Sequence, residues 1–233
     1  MANKKASVDT VRTGIEEITT QGDLLYRGAS DLERLPKGSS GQTLKMGSGN
    51  EPEWSTVAAP ASPAWTVIGT AVASNSANLT ITGLDNTYST FAITFSDLVL
   101  TTDGEGWRFR VGDSGGVDSV AGDYGWSLMH NNENGSAFVG GASSGDSSIR
   151  LGYGATGNAT GEAMGGIIYI HTNGASFPIM TGTGVTINST GEGYHETFSG
   201  YRKAVITLDR VQLIATSGNI NTGRMTVYGI AHS

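Results

Sequence analysis

Beyond Trp65, apolar and polar residues alternate in short runs broken by Gly, Asn, Asp and Ser, a period-two pattern that predicts an antiparallel β-sandwich or barrel. In Phe91-Ala92-Ile93-Thr94-Phe95 the large side chains fall on one face. In Trp107-Arg108-Phe109-Arg110-Val111 the apolar residues point one way and both arginines the other. Each such strand has one face to bury and one to leave wet. The runs predict strands over 65–73, 79–82, 90–100, 107–111, 124–130, 137–139, 148–151, 167–172, 185–187, 194–199, 204–216 and 224–231. No amphipathic helix of ordinary length separates them. A domain of about 170 residues can bury roughly 70% of its unfolded surface and fold as one unit.

Before Trp65 the pattern changes. Residues 55–64 hold Pro60 and Pro63 among small side chains and predict a linker between an N-terminal module, 1–54, and a main domain, 65–233. Within the module, Val8, Val11, Ile15 and Ile18 follow the 3-4-3 spacing of a coiled-coil seam. Gly14 interrupts it at a cost of about 1 kcal/mol relative to alanine, and two heptads do not hold a helix alone. The segment is therefore either a short helical bundle at a trimer axis or an extended arm on a partner protein. Further on, Leu24, Leu25, Leu35, Leu44 and Trp54 are scattered between Gly22, Gly28, Gly38 and Gly41. A stretch below about 40 residues needs a staple or a partner to stay folded. The chain has no cysteine, which excludes disulfides and thiolate metal sites. Burial against other copies of the chain is the remaining route.

Thr20-Gln21-Gly22-Asp23-Leu24-Leu25, Leu35-Pro36-Lys37-Gly38-Ser39, Gly41-Gln42-Thr43-Leu44 and Pro52-Glu53-Trp54 form an ordered set that resembles the adaptor module of tailed-bacteriophage fibre and appendage proteins. That resemblance implies a β-rich module that forms a homotrimer and attaches by its N-terminus to another phage virion protein. A second likeness is carried by Trp65-Thr66-Val67-Ile68-Gly69, Leu84-Asp85-Asn86-Thr87-Tyr88 and residues 217–230. These resemble the C-terminal jelly-roll-type domains of virion proteins. Residues 112–165 match nothing in that pattern and are where specificity is expected. Together the resemblances imply a virion-surface protein on head or tail, made in the bacterial cytoplasm. It would display a jelly-roll-like β-sandwich for adhesion to host cell-surface glycans. A purely structural capsid decoration or cement protein is the alternative, and a glycan depolymerase the third.

Composition agrees with turn-rich β-structure: glycine is 35 of 233 residues and 15% are charged, against a usual ~25%. The 4 Trp, 8 Tyr and 6 Phe argue against disorder. A net charge of -7 argues against nucleic acid or an anionic membrane as partner, since either calls for a basic face. Residues 1–63 carry 7 basic and 8 acidic groups, and residues 64–233 carry 7 and 13, so the main domain holds nearly all the acidity. No apolar run is long enough for a transmembrane helix, and no membrane insertion is expected. Met1-Ala2-Asn3-Lys4-Lys5-Ala6 is basic without an apolar core, so no signal peptide is expected.

Motifs for chemistry are weak. Residues 152–157 spell GxGxxG, but a phosphate cradle needs a helix behind it, and Asn158-Ala159-Thr160-Gly161 has no helical periodicity. Asp103, Glu105, Asp113, Asp118 and Asp123 sit in Gly/Ser-rich turns at spacings that make no calcium loop. Asp103 and Glu105 on one turn do not define the separated carboxylate pair of a glycosidase. His130, His171, His195 and His232 have no zinc spacing. No catalytic residue, metal ligand or cofactor is expected. Aromatics among amides are the better lead: Tyr124, Trp126, Phe138 and Tyr153 with Asn131 and Asn132 suit sugar rings, whose C–H faces stack on aromatics while amides bind hydroxyls. The competing reading places these rings in the core or in a seam between copies.

Overall fold

The computed structural model describes residues 18–57, 64–135, 139–152 and 155–232. Every regular element among them is a strand. Residue contacts divide the chain into two compact units, Met1–Ala61 and Ser62–Ser233.

The first unit holds four strands, β1 (Leu24–Arg27), β2 (Leu32–Leu35), β3 (Gln42–Met46) and β4 (Pro52–Thr56). They pair as two antiparallel hairpins, with Leu24 opposite Leu35 and Leu44 opposite Trp54. Asp23 and Trp54 hold the connecting chain. The Asp23 carboxylate accepts N–H groups from Thr19 (3.2 Å), Thr20 (2.9 Å) and Lys37 (2.9 Å) and pairs with Arg34 Nε at 3.0 Å. Trp54 donates Nε1–H to the Pro36 carbonyl at 2.7 Å, and its ring lies so close over Gly38 that a Cβ there would meet it at 2.6 Å. Only glycine admits that contact. The Gly22-Asp23, Leu35–Gly38 and Trp54 motifs thus converge on one knot of polar bonds.

Burial alone would raise the Asp23 pKa, but the Lys37 and Thr20 amides, Arg34 and the Thr19 amide hold it below the ordinary carboxylate value. A carboxyl depressed by folding stabilises the folded form above its unfolded pKa, near 3.9, and that contribution is lost as pH falls through the folded value. The first unit is therefore expected to loosen below about pH 4. Asp23→Asn should flatten this acid transition. Amide exchange at Thr20 and Lys37 across the pH range checks both statements.

The second unit runs β5 (Trp65–Val72), β6 (Asn78–Thr82), β7 (Thr90–Leu100), β8 (Trp107–Asp113), β9 (Gly116–Val117), β10 (Tyr124–Asn132), β11 (Val139–Asp146), β12 (Ile149–Arg150) and β13 (Met164–His171). It continues with β14 (Ile179–Ile187), β15 (Gly193–Arg202), β16 (Arg210–Ala215) and β17 (Ile220–Ile230). Eight strands form one antiparallel sheet in the order β11-β10-β15-β14-β13-β7-β17-β5. The other has the order β12-β8-β16-β6, with β9 paired to β8. One core fills the space between them. Phe91, Ile93 and Phe95 of β7 and Ile168 and Ile170 of β13 face Trp107, Phe109 and Val111 of β8 and Val211 and Leu213 of β16. Phe95 and Phe109 meet edge to face, 6.4 Å between centroids. The protein is all-β, as the alternation predicts, with large antiparallel sheets.

Two stretches depart from the expected strands. The run over 204–216 pairs only from Arg210, although Ile206 and Leu208 are buried. Period-two burial there reflects packing of an extended segment that has no ladder partner. Conversely, β11 and residues 181–184 of β14 are built mostly from Gly, Ser and Thr, and there hydrogen bonds to a neighbour replace apolar alternation.

Candidate functional site

The outward face of the eight-stranded sheet is set by register. Gly125, Tyr201, Ile179, His171, Thr90, Ile230 and Trp65 are successive cross-strand partners, so they form one row running across the strands from β10 to β5. The next row along the strands brings together Ser127, Ser199, Thr181 and Tyr169, and the one after it Met129, Thr197, Thr183 and Ile167. None of these positions is Asp, Glu, Lys or Arg. In a chain with a net charge of -7, this is a face of hydroxyls, aliphatics and rings.

Two shallow depressions lie on it. The first, about 570 Å³, has Ser127, Ser199, Thr181, Ile179 and Tyr201 along its floor and Trp126 and residues 142–144 of β11 at its side. The Tyr201 ring lies across Gly125, where a Cβ would come within 2.7 Å of it. The second, about 460 Å³, is formed by Thr90, His171, Asn173, Phe177, Ile179 and His232 among others. Ile179 belongs to both. The Phe177 and Tyr201 rings are nearly parallel, 6.3 Å between centroids and 9° between planes. Thr90 Oγ1 stands between His171 Nδ1 (3.3 Å) and His232 Nε2 (3.0 Å), which fixes both imidazoles at the far end. Neither depression is lined by a carboxylate.

The expected glycan residues separate. Trp126 stands at the first depression and donates Nε1–H to Asp146 Oδ2 at 3.1 Å, an oxygen shared with Arg108 at 3.3 Å. Burial would raise the Asp146 pKa, but the Ser147 amide, the Trp126 indole and Arg108 hold it low, so the carboxylate that anchors the indole stays charged. Asn131 and Asn132 line a third hollow with Glu133, Tyr194 and His195. Beside it the buried His130 stacks on Tyr194 at 5.1 Å and lies 3.9 Å from the buried Glu196. Burial, then Arg150, pushes the His130 pKa down.

Tyr124 is corrected to a core residue. It is fully buried; its hydroxyl accepts the Val111 N–H at 2.9 Å and lies 2.9–3.0 Å from the Asp118 and Val111 carbonyls. Burial pushes its phenol far above the usual value. Such a ring offers no face to a ligand. Phe138 and Tyr153 lie outside the described residues, as do Val8, Val11 and Ile15. Of the expected association residues, Ile18, Leu24 and Leu44 are exposed and Leu25, Leu35 and Trp54 half-buried. No apolar side chain of residues 18–57 is fully buried.

Sequence reasoning missed Phe177, Ile179 and Tyr201. A signal existed in Ser176-Phe177-Pro178-Ile179, where two large apolar residues flank a proline in an Asn/Gly/Ser-rich stretch. Gly112-Asp113-Ser114-Gly115-Gly116 also spells the GxSxG of a nucleophile elbow. The elbow requires a strand, a turn and a helix, whereas here the motif is the turn of the β8–β9 hairpin. Of the acidic turn residues, Asp118 and Asp123 are both bound to Arg202. Among the described residues no group of three or more His, Asp or Glu is placed to hold a metal ion.

Comparison with protein-family models, curated proteins and solved structures returns no match.

Proposed function

We propose that the chain is a homotrimeric appendage of a tailed-phage virion, attached by its N-terminal module, with a jelly-roll-like sandwich displayed outward to adhere to host-surface glycans. The observation that carries the adhesive part is the region of the outer face from β10 to β13 whose rows hold no charged side chain, where hydroxyls adjoin the Phe177 and Tyr201 rings. Sugars present C–H faces to rings and hydroxyls to hydroxyls, so such a face matches them without a fixed charge. The absence of carboxylates from both depressions favours binding over turnover, because glycoside hydrolysis ordinarily uses two.

Trimer formation and virion attachment rest on the resemblance over residues 20–54. They are supported by apolar side chains that the first unit leaves uncovered, Leu24, Leu44 and Met46. Three tethered copies raise the local concentration of binding faces to the order of mM, so weak single contacts suffice. Sedimentation equilibrium of the full chain is expected to give three times 24.1 kDa, and residues 62–233 alone the mass of a single copy. A monomeric full chain would overturn the trimer. A fully trimeric fragment would move the seam to the sandwich.

A further inference from the structure

Two depressions that share a wall residue and lie on one cross-strand row are arranged as consecutive stations rather than as separate sites. The row Gly125–Tyr201–Ile179–His171–Thr90 crosses five neighbouring strands, β10, β15, β14, β13 and β7. Four strand spacings make this track about 19 Å long, enough for several pyranose rings in line. Ile179, 51% exposed, stands at the junction, with Tyr201, 38% exposed, on one side and His171 on the other. Beside the junction the rings of Phe177 and Tyr201 stack on one another and each keeps part of its surface exposed.

Charge decides the class of ligand. Arg202 at the end of β15 is held by Asp118 and Asp123, and Lys203 donates to the Ser144 carbonyl at 2.7 Å. The track carries the two imidazoles fixed on Thr90, and the row beside it adds the hydroxyls of Thr181 and of Ser127 and Ser199, the last two bonded to each other at 3.0 Å. Neither depression is lined by an arginine, a lysine or a carboxylate, and Lys203 reaches only the Ser144 carbonyl at the side of the first.

We propose that the two depressions are successive subsites for one uncharged oligosaccharide chain laid across the strands, from the Tyr201 side to the His171 side. The inference rests on the adhesive reading above and adds the direction, the length and the neutrality of the ligand. Each subsite alone is shallow and weak; joined by one ligand, they combine.

The test is isothermal titration of the full chain with a ladder of neutral oligosaccharides, from disaccharide to hexasaccharide, beside uronate-bearing ladders of equal length. Affinity should rise at least about tenfold from disaccharide to tetrasaccharide and then level off. His171→Ala should remove most of that gain, lowering tetrasaccharide affinity by a larger factor than disaccharide affinity. Tyr201→Ala should weaken every length. Length-independent affinity, an equal loss at all lengths in His171→Ala, or tighter binding of the uronate ladder would each overturn the two-subsite proposal while leaving the adhesive reading intact. If no ladder binds but the chain still adheres to cells, the neutral-glycan inference falls and adhesion stands; if neither occurs, both fall. A drop in oligomeric mass in Tyr201→Ala would make this face a seam between copies and overturn the proposal.

Discussion

Trp107→Ala is expected to lower the free energy of unfolding of the sandwich by about 4 kcal/mol, the scale of removing a buried large aromatic. Trp107 opens β8, is 1% exposed, and packs in the layer between the sheets. Its Nε1–H donates to Thr156 Oγ1 at 2.7 Å, with both groups buried. Thr156 in turn pins two loops, since its backbone bridges Glu105 on one side and Asn188 on the other. Alanine would leave a cavity, an orphaned hydroxyl and a loosened junction together. Trp107→Phe keeps most of the volume and should cost only about 1–3 kcal/mol, the price of the unmatched hydroxyl and lost contacts. Urea titration reads both, with an unchanged slope; a shift below about 1 kcal/mol for alanine would contradict the core described above.

Arg202→Ala is the second large effect, expected at about 3 kcal/mol, the lower end for breaking a mostly buried ion pair because its partners keep some exposure. Arg202 is 13% exposed; its Nε lies 2.7 Å from Asp118 Oδ2, one terminal nitrogen 3.2 Å from Asp123 Oδ1, and the other donates to the Asp123 carbonyl at 3.2 Å. The guanidinium also lies over the Tyr124 ring at 5.9 Å. Burial would lower its pKa, but Asp118 and then Asp123 raise it, so the group stays charged. Without it, two carboxylates face each other across the loop between β9 and β10 with no counter-charge. Lysine, a point charge without the planar fork, should recover only part of the loss. Thermal unfolding measures the effect, and limited proteolysis within residues 114–123 should show that this loop opens first.

Much of the fold was legible because burial writes itself into alternation. Phe91-Ala92-Ile93-Thr94-Phe95 and Trp107-Arg108-Phe109-Arg110-Val111 place their apolar residues inward as their period requires. Where pairing rather than burial makes the strand, as along Val139–Asp146, no such signature exists. The candidate site was harder for a physical reason: it is a row across strands, not a run along one. Tyr201, Ile179 and His171 become neighbours only through register, which short-range pattern does not encode. The same limit made Tyr124 and Trp126 look equivalent. Both fall on the inward parity of β10, but Tyr124 lies under the loop that Arg202 clamps, while Trp126 reaches the sheet's margin.

The adhesive role of the outer face is the central claim, and its most direct test is retention of fluorescently labelled full-length protein on intact bacterial cells, wild type beside a Phe177→Ala/Tyr201→Ala double variant. Phe177 is 45% and Tyr201 38% exposed and neither belongs to the core between the sheets, so the variant should keep a melting temperature and mass close to the wild type. Retention of the wild type, with at least about a tenfold loss in the variant, is the predicted result. Equal retention of the two proteins would contradict the account and place adhesion, if the chain has any, elsewhere on the molecule.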